Sequence, residues 1–278
     1  MELIVFDLDG TLLNRHSEIS AYTRDTLAAL ADRDIAYTVA TGRTLHASRD
    51  LLHGHGFRLP QVFKNGVMIW NPADDAYSHQ NFLTQHEIQH VLEAVLAQDV
   101  TPFIFTLEPG NRHAVYHPPL RHSVEEKLAS EFSSRSGVDV LPASQMPADA
   151  EITNISALGV PASIDAIETL IEAEPGLVAY AGIAHEGAAL RWIDIHHSNA
   201  SKGGAVDLLR EQLGASRVLC FGDSDNDLSM FGRADEAYAP DNAKDAVKQA
   251  ATAVIGHHDE DGIARFLRER FGLESRVA

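Results

Sequence analysis

The 278-residue chain has one cysteine, Cys220, so it can form no internal disulfide. Cys220 sits in the apolar run Val218-Leu219-Cys220-Phe221, where a buried thiol is expected rather than a reactive one. Long hydrophobic runs are also missing: nothing approaches the roughly 20 residues that span a bilayer. Positive charge is scarce, with 22 Lys and Arg against 40 Asp and Glu and a formal net charge of -18. Such a chain has no electrostatic footprint for nucleic acid or an anionic membrane. It can still take a small anion, because a metal ion or a local basic cluster outweighs the global field at short range. No basic stretch precedes the first apolar residues, so no signal peptide is expected and a cytoplasmic location is. Repeats and low-complexity tracts are absent as well.

At 45% hydrophobic, the chain has enough apolar material for one large or two modest domains. Leu3–Phe6 reads as a fully buried strand that ends in acidic residues and glycine. A helix over 20–31 follows, with Ser20 as its cap. Next come a strand over 35–40 that runs into Thr41-Gly42-Arg43, a helix over 45–52, and a strand over 61–63. Asn65-Gly66 reads as a tight-turn pair. This alternation predicts an α/β fold with a Rossmann-like parallel sheet. From about residue 81 the pattern changes to pairs of strands separated by helices, an α+β module. The last stretch returns to α/β, with a helix over 202–213 and an apolar strand over 217–221. The expected domains are therefore a core of 1–80 with 195–278 and an inserted cap of 81–194.

In parallel sheets, chemistry gathers outside the carboxyl ends of the strands, where the polar clusters of this chain lie. Asp7 and Asp9 follow the first strand, and in extended chain residues two apart point the same way. Asp223 and Asp227 follow a second apolar strand. Like charges this close need a cation or a shared proton. Four carboxylates at two strand ends point to a hard divalent cation, and Mg²⁺ fits best.

Phe6-Asp7-Leu8-Asp9-Gly10-Thr11-Leu12, Ala40-Thr41-Gly42-Arg43, Ser201-Lys202-Gly203 and Gly222-Asp223-Ser224-Asp225-Asn226-Asp227 resemble, in order, the four motifs of the haloacid dehalogenase superfamily. The large insertion and Lys64-Asn65-Gly66 are similar to the Cof-like phosphatase branch, which has an α/β cap. The resemblance covers nearly the whole chain. It implies that Asp7 is the nucleophile and Asp9 the general acid and base. Asp7, Asp223 and the carbonyl of Asp9 would hold Mg²⁺. Thr41 and backbone N–H groups near Gly42 would bind the phosphoryl group, and Lys202 would offset its charge. Asp227 would orient metal-bound water or Lys202, and Asn226 would touch the phosphoryl group or position Lys202. Arg43 either contacts substrate or pairs with a surface carboxylate.

The resemblance implies a phosphatase for a small phosphorylated metabolite, with a sugar phosphate favoured, working as a monomer or small homo-oligomer. A sugar phosphomutase shares the same chemistry, and a catalytically silent phosphate-binding protein is the alternative of another class. In the cap, Arg112, His113, Asn154, His185 and Arg191 are candidates for contacting the leaving group. The spacing of His86 and His90 would suit zinc on a helix, but no third ligand completes a site. His196-His197 and His257-His258 also lack partners at metal-site spacing.

Overall fold

The structure is a computed structural model that describes residues 1–134, 137–184 and 187–273. The first stretch runs β1 (Glu2–Phe6), α1 (Ala21–Ala31), β2 (Ala36–Val39), α2 (Leu45–Leu52), β3 (Gln61–Phe63), β4 (Met68–Asn71) and β5 (Ala76–Gln80). The middle continues with α3 (Gln85–Ala97), β6 (Phe103–Glu108), β7 (Arg112–His117), α4 (Ser123–Ser133), β8 (Val138–Pro142), β9 (Glu151–Gly159), α5 (Pro161–Glu172), β10 (Leu177–Ala184) and β11 (Gly187–His197). The last stretch is α6 (Lys202–Leu213), β12 (Arg217–Phe221), α7 (Leu228–Phe231), β13 (Glu236–Pro240), α8 (Asp245–Ala250), β14 (Ala253–Ile255) and α9 (Gly262–Phe271).

These elements form two compact units. One joins Met1–His79 to the chain from Ser201 onward, and the other is Gln80–Ala200. The division falls beyond the join expected at 194/195 because β11 continues past Asp194, pairing with β10 as far as His197.

The divided unit is built on a five-stranded parallel sheet in the order β14-β13-β12-β1-β2. A parallel bridge between Ala40 and Val62 leads to a second sheet, β3-β4-β5. The residues of β1 alternate between faces. Ile4 and Phe6 join Leu219, Phe221, Leu27 and Leu30 of α1, and Ile263 and Leu267 of α9. Leu3 and Val5 join Val218, Cys220, and Val206 and Leu209 of α6. Both faces of the central strands are thus covered, which is why their sequences are apolar without alternation. Each fully buried side chain of this size contributes roughly 2 kcal/mol.

The continuous unit holds a six-stranded sheet, β10-β11-β9-β6-β7-β8, antiparallel except for the β7–β8 pair. Ile88, Val91 and Val95 of α3 and Ile164, Ile167 and Ile171 of α5 share a core with Ile155 and Ile193. Thr84 closes a capping box with Glu87 at the start of α3. The α/β class and inserted module match the expectation. Strands β4, β5 and β8 and the short helices α7 and α8 are additions to the sequence reading.

Candidate active site

β1 and β12 are neighbours, and the Asp7 N–H donates to the Phe221 carbonyl at 2.9 Å. The acidic turns that follow the two strands therefore begin side by side. Gly10 has φ +72, and a Cβ there would lie 2.5 Å from Asp223 Oδ2. Only glycine lets the first turn pass so close to the second. α6 starts with Ser201, whose hydroxyl accepts from the Gly204 N–H at 3.0 Å, and so carries Lys202 into the same place.

The Lys202 side chain is fully buried and donates to Asp7 Oδ1 and Asp227 Oδ1, both at 2.6 Å. Asp227 Oδ2 accepts the N–H groups of Asp223 and Ser224, each at 2.9 Å. The oxygens of Asp227 are thus committed to holding Lys202 and the turn. Among the described residues, the Asp223 carboxylate has only longer contacts, from the Thr11 hydroxyl at 3.4 Å and the Ser224 hydroxyl at 3.2 Å. Oxygens of Asp7, Asp223 and Asp227 lie within 4.8 Å of one another.

Three carboxylates against one ammonium leave two negative charges uncompensated when all are ionised. The strain registers in their proton affinities. Burial, reinforced by Asp227 and Asp223 and opposed by Lys202, holds the Asp7 carboxyl well above the ordinary range. Burial, then Asp227, pushes Asp223 up to about 6. Burial works against the charge of Lys202, yet Asp227 and Asp7 outweigh it and hold the ammonium above the usual lysine value. A divalent cation between Asp7 and Asp223 would remove the excess charge, and the all-oxygen donor set suits Mg²⁺.

The remaining candidates form an adjoining group. Thr41 is buried, and its Oγ1 accepts the Arg43 N–H at 3.1 Å. The Arg43 guanidinium grips Asp9 through Nε at 2.7 Å and Nη2 at 2.5 Å, a bidentate pair. The Asp9 side chain is 56% exposed, so of the two readings of Arg43 the structure displays the carboxylate pairing. Asn226 Nδ2 donates to Asn65 Oδ1 at 2.9 Å. The structure therefore brings Asp7, Asp223, Asp227 and Lys202 together, sets Thr41, Gly42 and Arg43 on the adjoining loop, and links Asn226 to Asn65.

A haloacid dehalogenase-like hydrolase family model matches residues 4–267. The chain belongs to that family. Across 279 residues it is 28% identical to the 5-amino-6-(5-phospho-D-ribitylamino)uracil phosphatase YitU of Bacillus subtilis, with 98% of each chain covered. The structure of a haloacid dehalogenase-like hydrolase from B. subtilis superposes with a TM-score of 0.79 at 22% identity, covering 96% of this chain and 99% of that one. The HAD subclass IIB sugar phosphatase BT4131 superposes with a TM-score of 0.73 at 21% identity, covering 99% and 100%. This haloacid dehalogenase-like hydrolase is thus an enzyme whose curated relatives include phosphatases, as the Cof-like resemblance implied.

Three residues of the hydrolase escaped the sequence reading as parts of the site. Asn242 Nδ2 donates to the Gly10 carbonyl at 2.7 Å and pins the first acidic turn. Ser224 braces Asp223. Asn65, read as a turn residue, meets Asn226 across 161 residues of sequence. Only a contact map would have found that pair.

Within the continuous unit, the cap candidates are committed to their own neighbours. Arg112 pairs with Glu108 and, at 2.7 Å, with Asp139. Arg191 pairs with Asp165 and, at 3.2 Å, with Glu168. Asn154 is buried and donates to Ser156 at 2.9 Å and Asp194 at 3.0 Å. His113 is buried on β7, and His185 lies outside the described residues. His90 faces Glu174 at 3.3 Å. His196 and His258 bond backbone carbonyls, while His197 and His257 accept backbone N–H groups. Among the described residues, the cluster with metal-ligand spacing contains no histidine, and no helix is long and apolar enough to cross a membrane.

Proposed function

We propose that this hydrolase is a Mg²⁺-dependent phosphomonoesterase that forms an aspartyl-phosphate on Asp7 and acts on a small sugar or sugar-alcohol phosphate. The observation that carries the reading is the buried Lys202 shared by Asp7 and Asp227, beside an under-bonded Asp223. A structural ion pair needs one partner for one charge. This surplus of carboxylates fits a site that waits for a cation and a phosphoryl group.

Asp7, Asp223 and the carbonyl of Asp9 would hold Mg²⁺, which when bound offsets charge on the phosphoryl oxygens. Lys202 fixes Asp7 Oδ1, so Oδ2 is the oxygen that attacks phosphorus. The bond to the leaving oxygen breaks as Asp9 gives that oxygen a proton. Asp9 then takes a proton from water, whose oxygen attacks the phosphorus of the aspartyl-phosphate. Inorganic phosphate leaves and Asp7 is regenerated. Asp9 begins this cycle in the grip of Arg43, so the pair must open before Asp9 can act. Thr41, the loop at Gly42 and Asn226 surround the phosphoryl group, where positioning and charge compensation supply most of the catalysis.

The phospho-ribityl and sugar substrates in the names of relatives support a polyol phosphate. Their description as phosphatases favours water over a second sugar hydroxyl as the acceptor. The test is phosphate release from p-nitrophenyl phosphate and a panel of sugar and sugar-alcohol phosphates with Mg²⁺. Wild type is expected to turn over, and Asp7→Asn to be slower by about 10³-fold or more. Equal inactivity of both proteins across the panel would refute the reading.

A further inference from the structure

Three consecutive residues between β3 and β4 take left-handed backbone: Lys64 at φ 49, Asn65 at φ 55 and Gly66 at φ 99. A single tight turn does not need such a run, and side-chain-bearing residues rarely adopt it. Strain of this kind persists only where the surroundings enforce it. Here the Lys64 N–H donates to the Arg43 carbonyl and the Asn65 N–H to the Thr41 carbonyl, both at 3.0 Å. A Cβ on Gly66 would fall 2.3 Å from the Ser201 carbonyl. The run is thus clamped between the Thr41–Arg43 loop and the start of α6, which carries Lys202.

The clamp fixes a side chain as well as a backbone. Asn65 is only 4% exposed, and its Oδ1 accepts from Asn226. That bond sets which end of the amide points where. Among the described residues, Nδ2 has no protein partner. The amide stands beside Gly42, where a Cβ would be 3.3 Å from Oδ1 and 3.5 Å from Nδ2. A donor so placed, with no protein acceptor, can take one from a bound ligand.

We propose that Asn65 binds the transferred phosphoryl group, donating from Nδ2 to a phosphoryl oxygen beside Gly42, and that Asn226 is its positioning residue. This rests on the phosphatase reading above. The role of Asn226 then becomes orientation of the donor. A neutral donor suits this position because it adds a hydrogen bond without further charge beside Lys202. A residue needed only for its left-handed backbone would be served better by glycine.

Asn65→Gly separates the two roles, since it keeps the backbone and removes the amide. The proposal predicts normal folding by circular dichroism and a fall of about 10²-fold in kcat/KM. Inhibition by orthovanadate, a mimic of the phosphoryl group in transfer, should weaken by about tenfold or more, with the Mg²⁺ concentration for half-maximal rate nearly unchanged. Asn65→Asp, which also tolerates left-handed backbone but replaces the donor with an acceptor, should lose more. Asn226→Ala should lose less than Asn65→Gly, and the double variant should be no worse than Asn65→Gly alone. Wild-type kcat/KM and vanadate inhibition in Asn65→Gly would overturn the proposal and leave a turn residue. Additive losses in the double variant would overturn the positioning role. If wild type itself released no phosphate, the phosphatase reading would fall first, a result distinct from either.

Discussion

In the divided unit, Asp7 and Asp227 share a single lysine at the ends of two apolar strands, with Asp223 beside them. In the continuous unit the proportion is reversed for the arginines: Arg112 has two carboxylates to itself, and so has Arg191. Asn154 is likewise saturated by Ser156 and Asp194. Side chains satisfied by their own neighbours need nothing further. A cluster that leaves buried carboxylates under-compensated is stable only with help from outside the chain. The difference marks where chemistry is expected, and it rests on bond counts at named atoms rather than on residue type. By type alone Arg112, Arg191 and Asn154 were as attractive as Arg43 and Asn226.

The largest expected effect comes from removing the lysine that Asp7 and Asp227 share. Lys202→Met should leave Asp7 and Asp227 buried without their counter-charge and cost about 3–5 kcal/mol in denaturant unfolding. Phosphatase activity should be lost with it. A cost under about 1 kcal/mol would mean that the carboxylates were already neutral or hydrated, and the contrast between the units would collapse.

How far each unit was legible follows from where its interactions lie in sequence. β1 and β12 are covered on both faces, so their apolar runs announce them, and the acidic turns follow at once. Asp7, Asp9, Asp223 and Asp227 could be found because the sheet topology converts strand ends into neighbours. The alternation of strands and helices likewise made the parallel core readable. Ala76–Gln80 and Val138–Pro142 were missed because they are edge strands without an apolar run, held by pairing with a neighbour. The inserted module was expected to end at Asp194. In the structure that residue is an interior acceptor for Asn154 and Ser156 in the middle of β11. Asn65 was read as half of a tight-turn pair, but nothing local reveals that its amide meets Asn226.

The smallest expected effect is in the continuous unit. Arg191→Ala removes a half-exposed pair of contacts and should cost at most about 1 kcal/mol of stability. On p-nitrophenyl phosphate, which carries no sugar to be recognised, kcat/KM should stay within about twofold of wild type. A loss above tenfold on that substrate would show that the paired arginine also serves the chemistry, and the comparison would have to be redrawn.

A cation between Asp7 and Asp223 is the central requirement of this site, and calorimetric titration of the purified, metal-free protein with Mg²⁺ measures it most directly. Wild type should bind one Mg²⁺ per chain, and Asp223→Asn should bind at least about tenfold more weakly, a difference of about 1.4 kcal/mol. Equal Mg²⁺ affinity in the two proteins, or no binding by wild type at millimolar Mg²⁺, would contradict it.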